Sequence, residues 1–297
     1  MTEAGGPGGR SREAAVPAMM ARVRSVLFMP GNRPDMIAKI PGCRPDVAVA
    51  DLEDAVPAVG KAAARSLAAA AVNTLTPAET VVLIRVNPVG SPWFDDDIGA
   101  AAASRAAGVV VPKLNAPADV LRARRSLAAA GRGEAVLIGG IETARGVADV
   151  RLILSQGLSA VYFGAEDYVA DLGGQRSRSG EEVLFARSAV SLAARLADIP
   201  AIDQAVVDVH DTAQFVADAE AGARLGYQGK TCIHPRQVEL AQRLFSPSPD
   251  QVAQARAVLA AGAAGVATLD GQMIDEVHLR MARRTLTRAA GDPAATR

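Results

Sequence analysis

Cysteine and histidine are scarce in this chain, with two and three copies in 297 residues. Cys43 and Cys232 cannot build a disulfide framework and suit a reducing compartment, which points to the cytoplasm. So few thiols and imidazoles also leave little from which to assemble a zinc-type site. No charge of one sign predominates, since 32 Lys and Arg balance 32 Asp and Glu. The composition therefore offers nothing to attract nucleic acid or an anionic membrane surface. No run of 18 apolar residues exists, so no membrane-spanning helix is expected. The opening stretch, 1–22, lacks the continuous apolar core of a signal peptide and reads as a disordered tail. Neither GxGxxG nor the GxxxxGK phosphate loop occurs, which leaves nucleotide-cofactor folds unsupported.

What the chain has is apolar residues, 49% of the total, arranged in short β-branched runs between longer Ala/Leu/Arg-rich segments. The runs fall at 25–29, 47–51, 81–86, 108–112, 135–141, 160–163, 201–203 and 230–233. Most are continuously apolar rather than alternating, as parallel strands buried on both faces require. The segments between them, among them 61–73, 116–130, 145–155, 181–197 and 211–225, have helical composition and length. Eight alternations of strand and helix predict an α/β fold, a (β/α)8 TIM barrel over 23–245, with an open doubly wound sheet as the alternative. Past Phe245 the pattern changes. Pro247 and Pro249 introduce a helix at 251–261, then a Gly-containing turn and a last helix from Asp275 to about residue 288. These residues, 246–297, form a C-terminal helical extension outside the eight repeats.

Barrel enzymes carry their reacting groups where strands end. Here nearly every predicted strand ends in a polar residue: Asn32 and Arg33, Asp51 to Asp54, Arg85 and Asn87, Lys113, Glu142, Glu166 and Asp167, Asp203, His234. Each alone is an ordinary solvated strand end. Together they predict a ring of polar groups around one mouth. Glu142 and Asp167 stand at consecutive tips, and neighbouring parallel strands lie about 4.8 Å apart, so the two carboxylates can converge on one cation. Two hard oxygen ligands without a nearby imidazole or thiolate suit Mg²⁺. The alternative is that both merely stabilise the helix that follows. Arg85 faces the same mouth and can hold a carboxylate or a developing enolate, or pair with the acids at 51–54. Glu53 and Asp54 are therefore candidate catalytic groups beside it. Lys61 with Arg65, and Arg33 with Lys39, are candidate basic rims for phosphate.

Taken in order, these motifs resemble the citrate lyase β-subunit-like family of the HpcH/HpaI aldolase superfamily, which includes malyl-CoA and citramalyl-CoA lyases. The stretches that carry the resemblance are SVLFMPGNRPDM, DLEDAVPAVGKAAAR, LIRVNP, VPKL, IETARG, YFGAEDYVADLGG, IPAID, GYQGKTCIHPRQV, FSPSP and DGQMIDE. The resemblance implies a Mg²⁺-dependent barrel that cleaves or forms the carbon–carbon bond of a β-hydroxyacyl-CoA thioester, giving an acyl-CoA and a 2-oxo acid. It implies Glu142 and Asp167 as metal ligands and Arg85 as the substrate arginine. Phe28, Arg33, Lys39, Ile233 and His234 match positions lining the thioester and its CoA arm. Asp275 is similar to an aspartate that relatives insert into a neighbouring subunit's site, which implies a homotrimer or a hexamer of two trimers. Class II pyruvate aldolases of the superfamily place a histidine near the end of strand two; Asp51-Leu52-Glu53-Asp54 has none, as in the thioester lyases. One departure is Val277, where many relatives have proline. The same site could instead hydrolyse malyl-CoA, act on free 2-oxo acids, or work only inside a multi-subunit citrate lyase.

Overall fold

The computed structural model describes residues 16–75, 79–262, 267–269 and 271–290. Eight parallel strands close on themselves in chain order: β1 (Ser25–Pro30), β2 (Val47–Asp51), β3 (Val81–Arg85), β4 (Gly108–Val111), β5 (Val136–Ile141), β6 (Ala160–Phe163), β7 (Ala201–Asp203) and β8 (Gly229–Cys232). At least one helix follows each strand, and closure through β1 and β8 excludes the open sheet. Every strand lies within one residue of its predicted limits. The reason is burial on both faces, which in β2 covers all five residues of Val-Ala-Val-Ala-Asp.

Alternation along the strands sorts their residues into two layers. Val49, Leu83, Val110, Ile138, Tyr162 and Ile202 pack together inside the barrel. The opposite parity, such as Ala50, Ile84, Val111 and Phe163, is buried beneath the surrounding helices. Met20 and Val23 join the inner cluster, with Val16 and Met19 packed against it. Residues 16–20 are helical. The expected disordered tail thus gives way at residue 16 to a turn whose apolar side chains pack against the starts of the strands; residues 1–15 lie outside the described residues.

The chain divides into two compact units, 1–242 and 243–297, where the sequence suggested a division after 245. In the second unit the helix Pro249–Ala261 begins with a capping box, Ser248 and Gln251 exchanging side-chain bonds to each other's amides at 3.2 and 2.9 Å. It packs on the helix Glu276–Ala290, where Leu279 and Ala282 are buried. Between them lies an antiparallel pair, β9 (Ala267–Leu269) and β10 (Gln272–Ile274), where only a turn was predicted. Three-residue strands are too short to show a period in sequence. Among the described residues no helix is long and apolar enough to cross a membrane.

Candidate active site

Asp51 and Arg85 are register partners at the ends of β2 and β3. Both have the inner parity, and the guanidinium meets the carboxylate in a two-pronged bond, Nε–Oδ1 2.6 Å and Nη2–Oδ2 2.7 Å. The third nitrogen, Nη1, lies 3.1 Å from Glu53 Oε2. Glu53 Oε1 in turn accepts from Lys113 Nζ at 2.5 Å, and the same ammonium lies 3.2 Å from Asp54 Oδ2 and 3.2 Å from Asp167 Oδ1. An unbroken chain of opposite charges therefore runs from Asp51 across the mouth to Asp167. Burial raises the Glu53 carboxyl above its usual range, against the pull of Arg85 and Lys113.

Asp51, Asp54, Arg85, Glu142 and Asp167 all line one cavity of about 360 Å³. Glu142 is 1% exposed, and its Oε2 has no hydrogen-bond partner. Burial pushes its carboxyl up to about 7, with Arg85 and Tyr162 pulling the other way. A buried, unpartnered carboxylate oxygen costs free energy unless something cationic meets it. Six carboxyl groups lie at or beside this cavity, Asp51, Glu53, Asp54, Glu142, Glu166 and Asp167, against three cations, Arg85, Lys113 and Arg176, and Arg85 is already committed to Asp51 and Glu53. Hard oxygen donors in excess of the cations around them fit a divalent ion such as Mg²⁺, with Glu142 and Asp167 as the groups that would hold it. Among the described residues no group of three or more His, Cys, Asp or Glu is arranged as a complete metal cage, so water and substrate oxygens would supply the remaining positions.

Glycines make room for these acids. A Cβ at Gly140 would come 2.5 Å from the Tyr162 hydroxyl, and one at Gly164 would come 2.6 Å from Glu142 Cγ. The Arg85 guanidinium lies 5.0 Å above the Phe28 ring, and Phe28 packs on Tyr162 at 5.8 Å. One wall is thus aromatic, and Ala205, Val207 and Ile233 continue an apolar lining. Gln237 fixes that side: its Oε1 accepts from Ile233 N at 2.8 Å, while its Nε2 donates to Val206 O at 2.9 Å.

Of the predicted residues, the structure brings Phe28, Arg85, Glu53, Asp54, Glu142, Asp167 and Ile233 together. Arg33 and Lys39 are exposed, do not line the cavity, and Arg33 pairs with Asp35 at 2.8 Å. His234 does not line it either; its Nδ1 accepts from Arg236 N at 3.2 Å. Asp275 belongs to the second unit, where its carboxylate accepts the amides of Val277 and His278 at 2.9 and 3.2 Å and meets His278 Nδ1 at 2.7 Å. A proline at 277 would lack the first of these amides.

Four further residues, Lys61, Arg65, Asn87 and Asp203, do not stand where they were expected. Lys61 is no phosphate rim: it is buried and donates to the carbonyls of Leu52 and Glu53 at 2.9 and 2.7 Å, holding the β2 tip from behind. Arg65 pairs with Asp97 at 2.8 Å, and Asn87 is buried with its amide on the same Asp97 and on Leu52 O. Asp203 is absent from the mouth because its parity is outward. It is fully buried in the wall with Lys230, its register partner, and with Arg187 and Asp218 from the surrounding helices. Sequence reasoning foresaw Arg85 pairing with the acids at 51–54, but it passed over Tyr162 and did not single out Asp51 among those acids or say what Lys113 holds. Counting in twos back from Glu142 and along β2 would have placed Asp51 on the inner face; nothing in an apolar run marks Tyr162 as a pocket residue.

Comparison with known proteins accords with the barrel fold. The family described as HpcH/HpaI aldolase/citrate lyase matches residues 24–235, and a second, described as a C-C bond lyase of the TIM-barrel fold, matches 191–291. A citrate lyase subunit beta-like protein of Deinococcus radiodurans is 46% identical over 281 residues, covering 91% of this chain and 98% of that one. The human mitochondrial citramalyl-CoA lyase is 31% identical, covering 90% of this chain and 85% of its own. Among solved structures, the protein CitE of Mycobacterium tuberculosis in complex with magnesium, acetoacetate and coenzyme A superposes with a TM-score of 0.78 at 31% identity, covering 90% of this chain and 97% of that one.

Proposed function

The chain belongs to the HpcH/HpaI aldolase/citrate lyase family, and on that premise we propose that it is a Mg²⁺-dependent acyl-CoA lyase. It cleaves or forms a β-hydroxyacyl-CoA thioester such as malyl-CoA, citramalyl-CoA or citryl-CoA, giving an acyl-CoA and a 2-oxo acid. The observation that carries this reading is Glu142: a buried carboxylate oxygen without a partner, in a cavity shared with Asp167 and Arg85. Of the relatives named above, the human protein is a citramalyl-CoA lyase and the Mycobacterium protein is crystallised with coenzyme A.

Glu142 and Asp167 would hold Mg²⁺, which would supply Lewis-acid polarisation of the hydroxy-acid oxygens. Arg85, immobilised by Asp51 and Glu53, offers a fixed positive charge to the thioester enolate that departs when the carbon–carbon bond breaks. Phe28 lines the site beside that carbon, and Ala205, Val207 and Ile233 give its mouth an apolar lining for the acyl part of the substrate. Asp275 of a neighbouring subunit delivers or removes the proton at the acyl carbon, in a homotrimer or hexamer. Both cysteines are free, in keeping with a cytoplasmic enzyme.

The test is incubation of the purified full chain with malyl-, methylmalyl-, citramalyl- and citryl-CoA, with Mg²⁺ and with chelator. Acetyl-CoA and glyoxylate from malyl-CoA, abolished by chelator, is the expected result. Malate and free CoA would replace the lyase by a thioesterase. No turnover of any of these thioesters by the chain alone would overturn the reading in favour of a subunit that works only within a complex.

A further inference from the structure

Three non-glycine residues among those described have positive φ: Arg44, Lys113 and Asp198. Arg44 and Asp198 end helices, where the left-handed region is an ordinary stop. Lys113 ends no helix. It follows β4 with φ 53°, a conformation that a side chain with a Cβ adopts only when its surroundings impose it. They do so through Asn115, whose amide donates to Lys113 O at 3.0 Å, and through Leu114, whose N–H is taken by Gly140 O at 3.0 Å. The strain aims the ammonium at Glu53, Asp54 and Asp167.

These contacts differ in kind. Glu53 is 3% exposed and anchors the ammonium at 2.5 Å, whereas Asp167 is 37% exposed and is held at 3.2 Å. Lys113 is the only ion-pair partner of the Asp167 carboxylate among the described residues. An ammonium has three donors and can release one acceptor while keeping the others.

We propose that Lys113 is a tethered competitor for the divalent-cation site, occupying Asp167 until metal and substrate arrive and then withdrawing onto Glu53 and Asp54. This rests on the reading of Glu142 and Asp167 as metal ligands. The competition keeps affinity for the bare ion low, so that Mg²⁺ is held firmly only when the hydroxy acid completes its shell. Lys113 is thereby a positioning residue that ties metal occupancy to substrate occupancy.

Calorimetric titration of the substrate-free full chain with MgCl2 tests this. Lys113→Met removes the charge, and Lys113→Gly removes it while suiting the backbone, so folding is safeguarded by the second variant. Both are expected to bind Mg²⁺ about tenfold more tightly than wild type. Unchanged or weaker binding in both, with Glu142→Gln weakened as expected, would overturn the competition and leave the ligands standing. Binding undiminished in Glu142→Gln would overturn the ligand reading itself, and the proposal with it.

Discussion

Asp51 holds Arg85 by two parallel hydrogen bonds of 2.6 and 2.7 Å, and the same carboxylate accepts the amides of Glu53 and Ala55 at 2.9 and 3.2 Å. One buried side chain thus sets both the direction of the guanidinium and the shape of the loop that carries Glu53. Replacing it should disturb both at once. Asp51→Asn keeps the volume but loses the charge, leaving Arg85 with half its counterion. We expect unfolding in urea to show a loss of about 3 kcal/mol, and kcat to fall by about 10² or more. A variant with normal kcat would show that Arg85 does not need this orientation.

Glu142 predicts opposite effects on stability and on metal binding. Its carboxyl is raised from 4.5 to about 7, so the folded chain retains a proton that the unfolded chain releases between those values. The stability linked to that proton is fully present below pH 4.5 and is lost as pH rises through about 7. Metal-free Glu142→Gln protein should therefore be more stable than wild type at pH 8, by roughly 3 kcal/mol. The same variant should lose the rise in Tm that Mg²⁺ gives wild type. In wild type, Mg²⁺ affinity should climb with pH and level off above about 7, since the ligand must be ionised. A pH-independent affinity between 5 and 8 would contradict the assignment.

Lys230 makes the contrasting case, a buried charge with a structural task. It is fully buried, and its ammonium meets Asp203 at 3.2 Å and Asp218 at 2.5 Å. Lys230→Met should cost about 3 kcal/mol in denaturant unfolding because two carboxylates lose a partner. Activity per folded molecule should stay within about twofold of wild type. A selective fall in kcat with unchanged stability would move this network into the chemistry.

Asp275 is to be tested by complementation. Asp275→Asn retains an oxygen for the Val277 and His278 amides, so the helix cap survives and the proton-transfer role is isolated. Alone it should lose at least about 10² in kcat, and Glu142→Gln should be inactive. Unfolded together and refolded as mixed oligomers, the two should regain activity, because some sites would combine an intact Glu142 with an intact Asp275. Failure to regain any, with both folded and associated, would confine Asp275 to capping its own helix.

The barrel was legible in the sequence because double burial makes its strands nearly pure apolar runs, and their order left little choice of topology. The acids at the tips were legible for a related reason: Glu142 interrupts its apolar run abruptly, and Glu166 and Asp167 follow the next run in the first turn of a helix. Direction was less legible. Asp203 interrupts β7 just as abruptly, yet one residue of parity turns it into the wall, toward Lys230. Lys61 shows the other difficulty, since a lysine in a helical segment reads as solvated until a backbone carbonyl is found in front of it. Lys113 was visible only as a strand end. Its three acidic partners, Glu53, Asp54 and Asp167, are distant from it in the chain, and no local pattern reports them.

Gly140 and Gly164 bear on how such an enzyme can change over generations. Any side chain at either position would collide with Tyr162 or Glu142, so the floor of the cavity tolerates almost no inherited variation in size. The rim has no such restriction, since Ala55, Ala205 and Val207 line it with small or half-exposed side chains. Lineages sharing this floor are thus free to diverge in the acid they accept by drifting at the rim, while the bond they break stays the same.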